Sequence, residues 1–105
     1  MLACLKSKVK LRKKGGIPVI ADFNEDLGNQ TAEELNVEFV KVDVSDETQV
    51  KEMVSYVVEK YGHLDIMVAN AGIGGGGSTL DLPTAEYEKY IGVNQNGVVY
   101  CSREA

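Results

Sequence analysis

Residues 64–72 read Leu64-Asp65-Ile66-Met67-Val68-Ala69-Asn70-Ala71-Gly72, and this stretch decides the fold. Ile66, Met67, Val68 and Ala69 are apolar without alternation, which is the pattern of a short parallel strand covered on both faces. Asn70 and Gly72 break the run where such a strand ends. In open α/β sheets, ligands sit beyond the carboxyl ends of the strands. An amide followed by a residue without a Cβ lets a ligand come close to the backbone there. Taken alone, the same pair could simply turn the chain. The elements on either side decide between the two readings.

Working backwards, His63 and Gly62 follow the clearest helical period in the chain. Val50, Met53, Val54, Val57, Val58 and Tyr61 recur at i, i+3, i+4, i+7, i+8 and i+11. Ser45 or Asp46 can cap that helix. A strand of mixed polarity, Val37 to Val44, precedes it and suits a sheet edge. Before that, a helix is predicted over 25–35 with Leu27, Thr31 and Leu35 on one face. It follows the strand Ile17-Pro18-Val19-Ile20-Ala21-Asp22, with Pro18 near the start, where a missing N–H does least harm. Residues 1–16 read as a weak amphipathic helix through Leu2, Leu5 and Val9, ended by Gly15-Gly16, although the alternation of Lys6, Lys8, Lys10 and Arg12 would equally suit an exposed strand. Working forwards, residues 73–82 form a glycine-rich loop, and Thr84 can cap a long last helix. The alternation of strands and helices over short connections predicts an α/β fold with a doubly wound, Rossmann-like parallel sheet.

At 105 residues the chain is one small domain or a piece of a larger one, of ordinary soluble globular composition and with no apolar run near the length of a membrane span. The net charge of −5 is uneven: the first 16 residues carry +6 and the remainder −11. The acidic body argues against nucleic-acid binding, and the basic start suits a solvated helix face. Met1–Leu5 is too short for a signal peptide core and is ended by Lys6. Cys4 and Cys101 lie at opposite ends without metal-ligand spacing. They read as free thiols in a reducing compartment, so a cytoplasmic location is expected. No metal site is expected.

Two motifs are decoys. Gly72-Ile73-Gly74-Gly75-Gly76-Gly77 matches G-x-G-x-x-G, the dinucleotide fingerprint. It does not open a helix, and it follows the Asp22 strand instead of preceding it. It reads as a mobile loop over the site. Tyr56-Val57-Val58-Glu59-Lys60 matches Y-x-x-x-K. Tyr56 falls beside the apolar stripe, Lys60 points to solvent, and the helix precedes the central strand, so a catalytic role is rejected.

Asp22, Asp43 and Asn70 end three successive strands. A carboxylate at the position of Asp22 can accept two hydrogen bonds from a ribose diol and repels a 2′-phosphate; it can also serve as a helix N-cap. Asp43 with the backbone N–H of Val44 can read the donor–acceptor edge of an adenine. Asn94 interrupts the helical face of Tyr87, Tyr90, Ile91, Val98 and Cys101. An amide on a buried face marks either a functional site or a satisfied core amide. Gly97, just beyond it, allows a close helix approach or a kink.

Together these landmarks resemble the short-chain dehydrogenase/reductase family, from about Gly15 to Ala105. The residues concerned are the strand ending in Asp22, Asp43-Val44, Asn70-Ala71-Gly72 and Asn94-Gln95-Asn96-Gly97. The resemblance implies an oxidoreductase that passes hydride between a nicotinamide cofactor and a secondary alcohol or ketone. Asp22 would bind the adenosine ribose and favour NAD over NADP. Asp43 and Val44 would hold adenine, and Asn70, Ala71 and Gly72 would line the cofactor. Asn94 would be the catalytic asparagine that anchors a water in the proton relay. Family members often pair through the helix that here begins near Thr84, so a homo-oligomer is expected.

The chain also departs from the family pattern. The family's first strand and T-G-x-x-x-G-x-G turn have no counterpart, since Met1–Gly16 supplies at most the following helix. Its catalytic serine and Y-x-x-x-K lie beyond the position of Asn94-Gln95-Asn96-Gly97 and have no match here. The 105 residues therefore read as a partial domain that is inactive by itself. The alternative is a non-catalytic remnant serving as a binding module, or a mispredicted reading frame without a role of its own.

Overall fold

The computed structural model describes residues 12–105. The expected helix through Leu2, Leu5 and Val9 lies outside the described residues. Its end does not: Arg12 and Lys13 are helical, and Gly15 closes the turn at φ 85° with its N–H on the Arg12 carbonyl.

Strand β1 spans Val19–Asp22 and strand β2 spans Glu38–Lys41. They pair in parallel, with Val19 opposite Glu38 and Asp22 opposite Lys41. Helix α1, Glu25–Leu35, makes the crossover between them. Both Ile20 and its neighbour Ala21 are buried. Successive strand residues point to opposite faces, so β1 is covered on both sides. The buried face of α1 is Gly28 and Ala32, whereas Leu27 is half exposed. The face predicted through Leu27 is displaced because the Phe39 ring of β2 lies where a side chain on residue 28 would be.

Helix α2, Glu47–Tyr61, starts as expected at Asp46, whose Oδ1 accepts from the Thr48 and Gln49 N–H groups. It ends at Gly62 in the left-handed conformation (φ 88°), which no residue with a Cβ adopts as readily. Its buried stripe is Val50, Met53, Val54 and Val57. Val50, Met53 and Val54 join Ala21, Val42, Val44 and Cys101 in the core cluster.

The last helix has three parts. Helix α3 covers Thr84–Ile91, a π turn covers Gly92–Asn96, and helix α4 covers Gly97–Glu104. Thr84 is the first helical residue, not the cap. Pro83 holds the cap position, without a side-chain bond. Helix α4 packs on α2, with Gly97 and Cys101 buried.

The central stretch departs most from expectation. Residues 63–70 form neither helix nor paired strand among the described residues, and the sheet there has two strands. Nor are both faces covered. Leu64, Met67, Ala69 and Ala71 pack against the core, while Ile66 and Val68 are exposed. Burial alternates along this stretch even though hydrophobicity does not. An apolar run records the neighbours a strand is suited to, and here only one side has them. Between β1 and residues 63–68 runs a cleft of about 400 Å³ lined by Ile20, Ala21, Met53, Val57, Leu64 and Met67.

Candidate functional site

Asp22 ends β1, and Asp43 lies two residues beyond the end of β2, so both follow carboxyl ends of parallel strands on one sheet edge. Asp22 Oδ1 accepts from the Asn24 N–H at 2.9 Å. The N-cap of α1 is Asn24, whose Oδ1 accepts from Leu27 N–H at 3.1 Å. The capping role open to Asp22 therefore falls to Asn24, and the Asp22 carboxylate shapes the turn before the helix. The Asp22 carbonyl accepts from Val42 N–H, which extends the parallel pairing by one bond.

Asp43 is half-buried. Its Oδ1 accepts from Ser45 N–H at 2.9 Å and from Ser45 Oγ at 2.6 Å. Its own N–H donates to Gln49 Oε1 at 2.9 Å, and Gln49 Nε2 donates to Asp46 Oδ2 at 3.1 Å. Gln49 thus fixes the 43–46 turn against the start of α2. The sequence reading missed it, although Asp46-x-x-Gln49 has capping-box spacing. Val44 is buried, and among the described residues no partner takes its backbone N–H. A buried donor of this kind is costly unless something accepts from it.

Ala71 packs against the core cluster, and Gly72 lies over Asn94. Asn94 Oδ1 accepts from Ile73 N–H at 2.8 Å, and Asn94 Nδ2 donates to the Ile73 carbonyl at 2.8 Å. Asn94 is exposed, not set in a buried face as its period suggested. Helix α3 before it has no buried residue, so the expected buried face is not formed there. The Asn94 amide, within the π turn, meets the chain after Gly72 instead. Gly97 does allow a close approach: a Cβ there would stand 2.8 Å from Val44 Cγ2. The last helix thus touches the Val44 turn and the end of the central stretch at once.

The glycine loop opens no helix; the next one begins at Thr84. Nor does it hang clear of the protein, because Gly75 lies against Tyr90. Tyr56 and Lys60 both bond to Glu38 of β2. Lys60 Nζ lies 2.8 Å from Glu38 Oε1, and the Tyr56 hydroxyl donates to the same oxygen. Tyr61 donates to Oε2. The Lys60 hydrogen bond, followed by those of Tyr56 and Tyr61, holds the Glu38 carboxyl down to about 2. The pair that mimics Y-x-x-x-K thus ties α2 to β2. His63 pairs with Asp65 at the surface. Cys101 is a buried free thiol whose pKa is raised by burial; Cys4 lies outside the described residues. No group of three or more metal-ligating side chains occurs among the described residues, nor a helix long and apolar enough to cross a membrane.

Residues 7–105 match the short chain dehydrogenase family, and the chain belongs to it. It is 42% identical over 90 residues to an uncharacterized oxidoreductase of Thermotoga maritima, covering 81% of this chain and 35% of that protein. It is 35% identical over 95 residues to meso-2,3-butanediol dehydrogenase of Serratia marcescens, covering 88% and 38%. Its structure is similar to that of actinorhodin polyketide ketoreductase, solved with NADPH, with a TM-score of 0.89 at 28% identity over 95% of this chain and 40% of that one. The chain therefore spans about a third of the length of the curated relatives it matches. The family match and the structural likeness together make this chain an α/β segment of a short chain dehydrogenase.

Proposed function

We propose that these residues form the adenosine-binding half of a nicotinamide site that prefers NAD, in an oxidoreductase acting on a secondary alcohol or ketone. The observation that carries this is the grouping of Asp22, Asp43 and the unclaimed Val44 N–H beyond the ends of β1 and β2. Asp22 would accept from the ribose hydroxyls and repel a 2′-phosphate. Asp43 and Val44 would take the adenine edge, with Val44 N–H gaining its missing acceptor. Asn70, Ala71 and Gly72 would line the cofactor further along the edge. The nicotinamide ring, when bound, supplies the hydride acceptor or donor.

Asn94 is proposed as the catalytic asparagine. Both ends of its amide are engaged by Ile73, so a water at this residue would be held by backbone of the π turn. The 105 residues hold no Tyr–Lys pair beyond Asn94, and by themselves are expected to leave NADH unoxidised with any small ketone. Exposed Tyr87, Val98 and Val99 on α3 and α4 support self-association through that helix. The alternative, a binding module without catalysis, would keep the nucleotide site alone.

The test is titration of the chain with NADH and with NADPH, followed by backbone amide signals. Movement at Asp22, Val44 and Ala71 that saturates at lower NADH than NADPH is expected. Signals that stay still at millimolar NADH, or that favour NADPH, overturn the reading.

A further inference from the structure

After Gly72 the chain runs over the last helix, and two side chains one turn apart meet it there. Asn94 holds Ile73 by both backbone groups. Tyr90, four residues earlier, lies beneath Gly75. Its hydroxyl oxygen stands 2.0 Å, its Cζ 3.1 Å and Glu86 Oε1 3.4 Å from where a Cβ on residue 75 would be. No side chain fits at that position while Tyr90 keeps its place. Gly74 and Gly76, on either side, would meet nothing within 4 Å. One glycine of the run is thus fixed by contact, and its neighbours are not.

Tyr90 is itself held. Its hydroxyl donates to Glu86 Oε1 at 2.5 Å, and residues four apart lie on one helix face. The carboxylate raises the Tyr90 pKa, so the phenol remains a donor at neutral pH. Glu86, Tyr90 and Asn94 therefore form a row along one side of the helix, and the chain after Gly72 lies along it.

We propose that Tyr90, steadied by Glu86, is a positioning residue that works with Asn94 as a two-point clamp on the glycine-rich loop. The clamp fixes where the chain runs directly after Asn70, Ala71 and Gly72, and so sets the border of the site on that side. Its functional meaning rests on reading those three residues as cofactor-lining. Four consecutive glycines carry large backbone freedom, and ordering them requires contacts from outside the loop. Tyr90 and Asn94 supply those contacts.

The test is amide hydrogen exchange in the 105-residue chain, comparing Gly75→Ala, Gly76→Ala, Tyr90→Ala and the double variant Gly75→Ala/Tyr90→Ala. Gly75→Ala and Tyr90→Ala are each expected to speed exchange of the Ile73 amide about tenfold, while the amides of α2 stay unchanged. Gly76→Ala leaves Ile73 protected. The double variant exchanges no faster than either single one, because both remove the same contact. Equal effects of Gly75→Ala and Gly76→Ala, additive effects in the double variant, a uniform rise that includes α2, or an unprotected Ile73 in the parent chain would each overturn the clamp. NADH titration of the parent separates the two ideas. An expected exchange pattern with Asn70–Gly72 signals unmoved by NADH supports the clamp and overturns the cofactor-lining reading.

Discussion

Asn94 pairs with Ile73 as one strand residue pairs with another. Its side-chain amide accepts from the N–H and donates to the carbonyl of the same residue, both at 2.8 Å. An antiparallel ladder offers the same two bonds from backbone. A helix side chain here does the work of a neighbouring strand at the point where the central stretch ends.

Replacing Asn94 with Ala removes both bonds, each worth about 0.5–1.5 kcal/mol. Exchange at Ile73 should rise sharply, and the midpoint of unfolding should fall by several degrees. In a chain carrying a downstream Tyr–Lys pair, turnover should drop by more than stability does. A large loss of melting temperature with turnover preserved would mark Asn94 as purely structural.

Replacing Asp22 with Ser should weaken NAD and improve NADP, since it removes both the ribose acceptor and the charge that opposes phosphate. The ratio of the two dissociation constants is the readout, and a shift of about tenfold matches one charged hydrogen bond of 1.5 kcal/mol. A ratio that does not move makes Asp22 a structural residue that shapes the turn before α1.

Glu38 gives the chain an acid-sensitive contact. Its folded pKa of about 2 lies below the ordinary 4.5, so its contribution is fully present above 4.5 and disappears as pH falls towards 2. Glu38→Gln should lower the melting temperature at pH 7 by a few degrees, the partly exposed Lys60 limiting the effect. The same variant should flatten the fall in melting temperature between pH 4.5 and 2. A parent and variant with parallel pH profiles would show the cluster to be energetically silent.

Gly97→Ala sets helix propensity against packing. Alanine gains about 1 kcal/mol in a helix. Its methyl, however, would stand 2.8 Å from Val44 Cγ2 and 3.3 Å from the Val44 carbonyl oxygen, and overpacking of this kind costs about 1–3 kcal/mol. Net destabilisation in urea is expected, together with weaker nucleotide binding as the Val44 turn shifts. A more stable variant would show that the helix end can move away freely.

Much of the fold can be read from local chemistry alone. The bounds of α1, the Asp46 cap and the Gly62 stop of α2 all follow from residues within a few positions of one another. What the sequence conceals depends on distant neighbours. Asn24, not Asp22, caps α1, because Phe23 separates the end of β1 from the cap position. The run Ile66–Ala69 looks buried on both sides, but its pairing depends on what lies beside it. The exposure of Asn94 is hidden because its partner, Ile73, is distant in the chain. At the site, Asp22, Asp43 and Val44 stand out as polar groups at strand ends. Gln49, Tyr90 and Glu86 do not, because each acts only through a contact made in the folded chain.

The π turn at Gly92–Asn96 has a further consequence. Helix α3 has to present Tyr90 towards the loop, with Asn94 of the turn itself beside it, and α4 has to present Gly97 towards Val44 and bury Cys101. An unbroken α-helix advances 100° per residue and keeps one phase from end to end. The π turn works as a phase shifter, letting one rod satisfy two partners set at different angles. Deleting a single residue between Gly92 and Asn96 would restore the regular pitch. It would also force a choice: the rod could keep its hold on Ile73 or its seat on Val44, but not both.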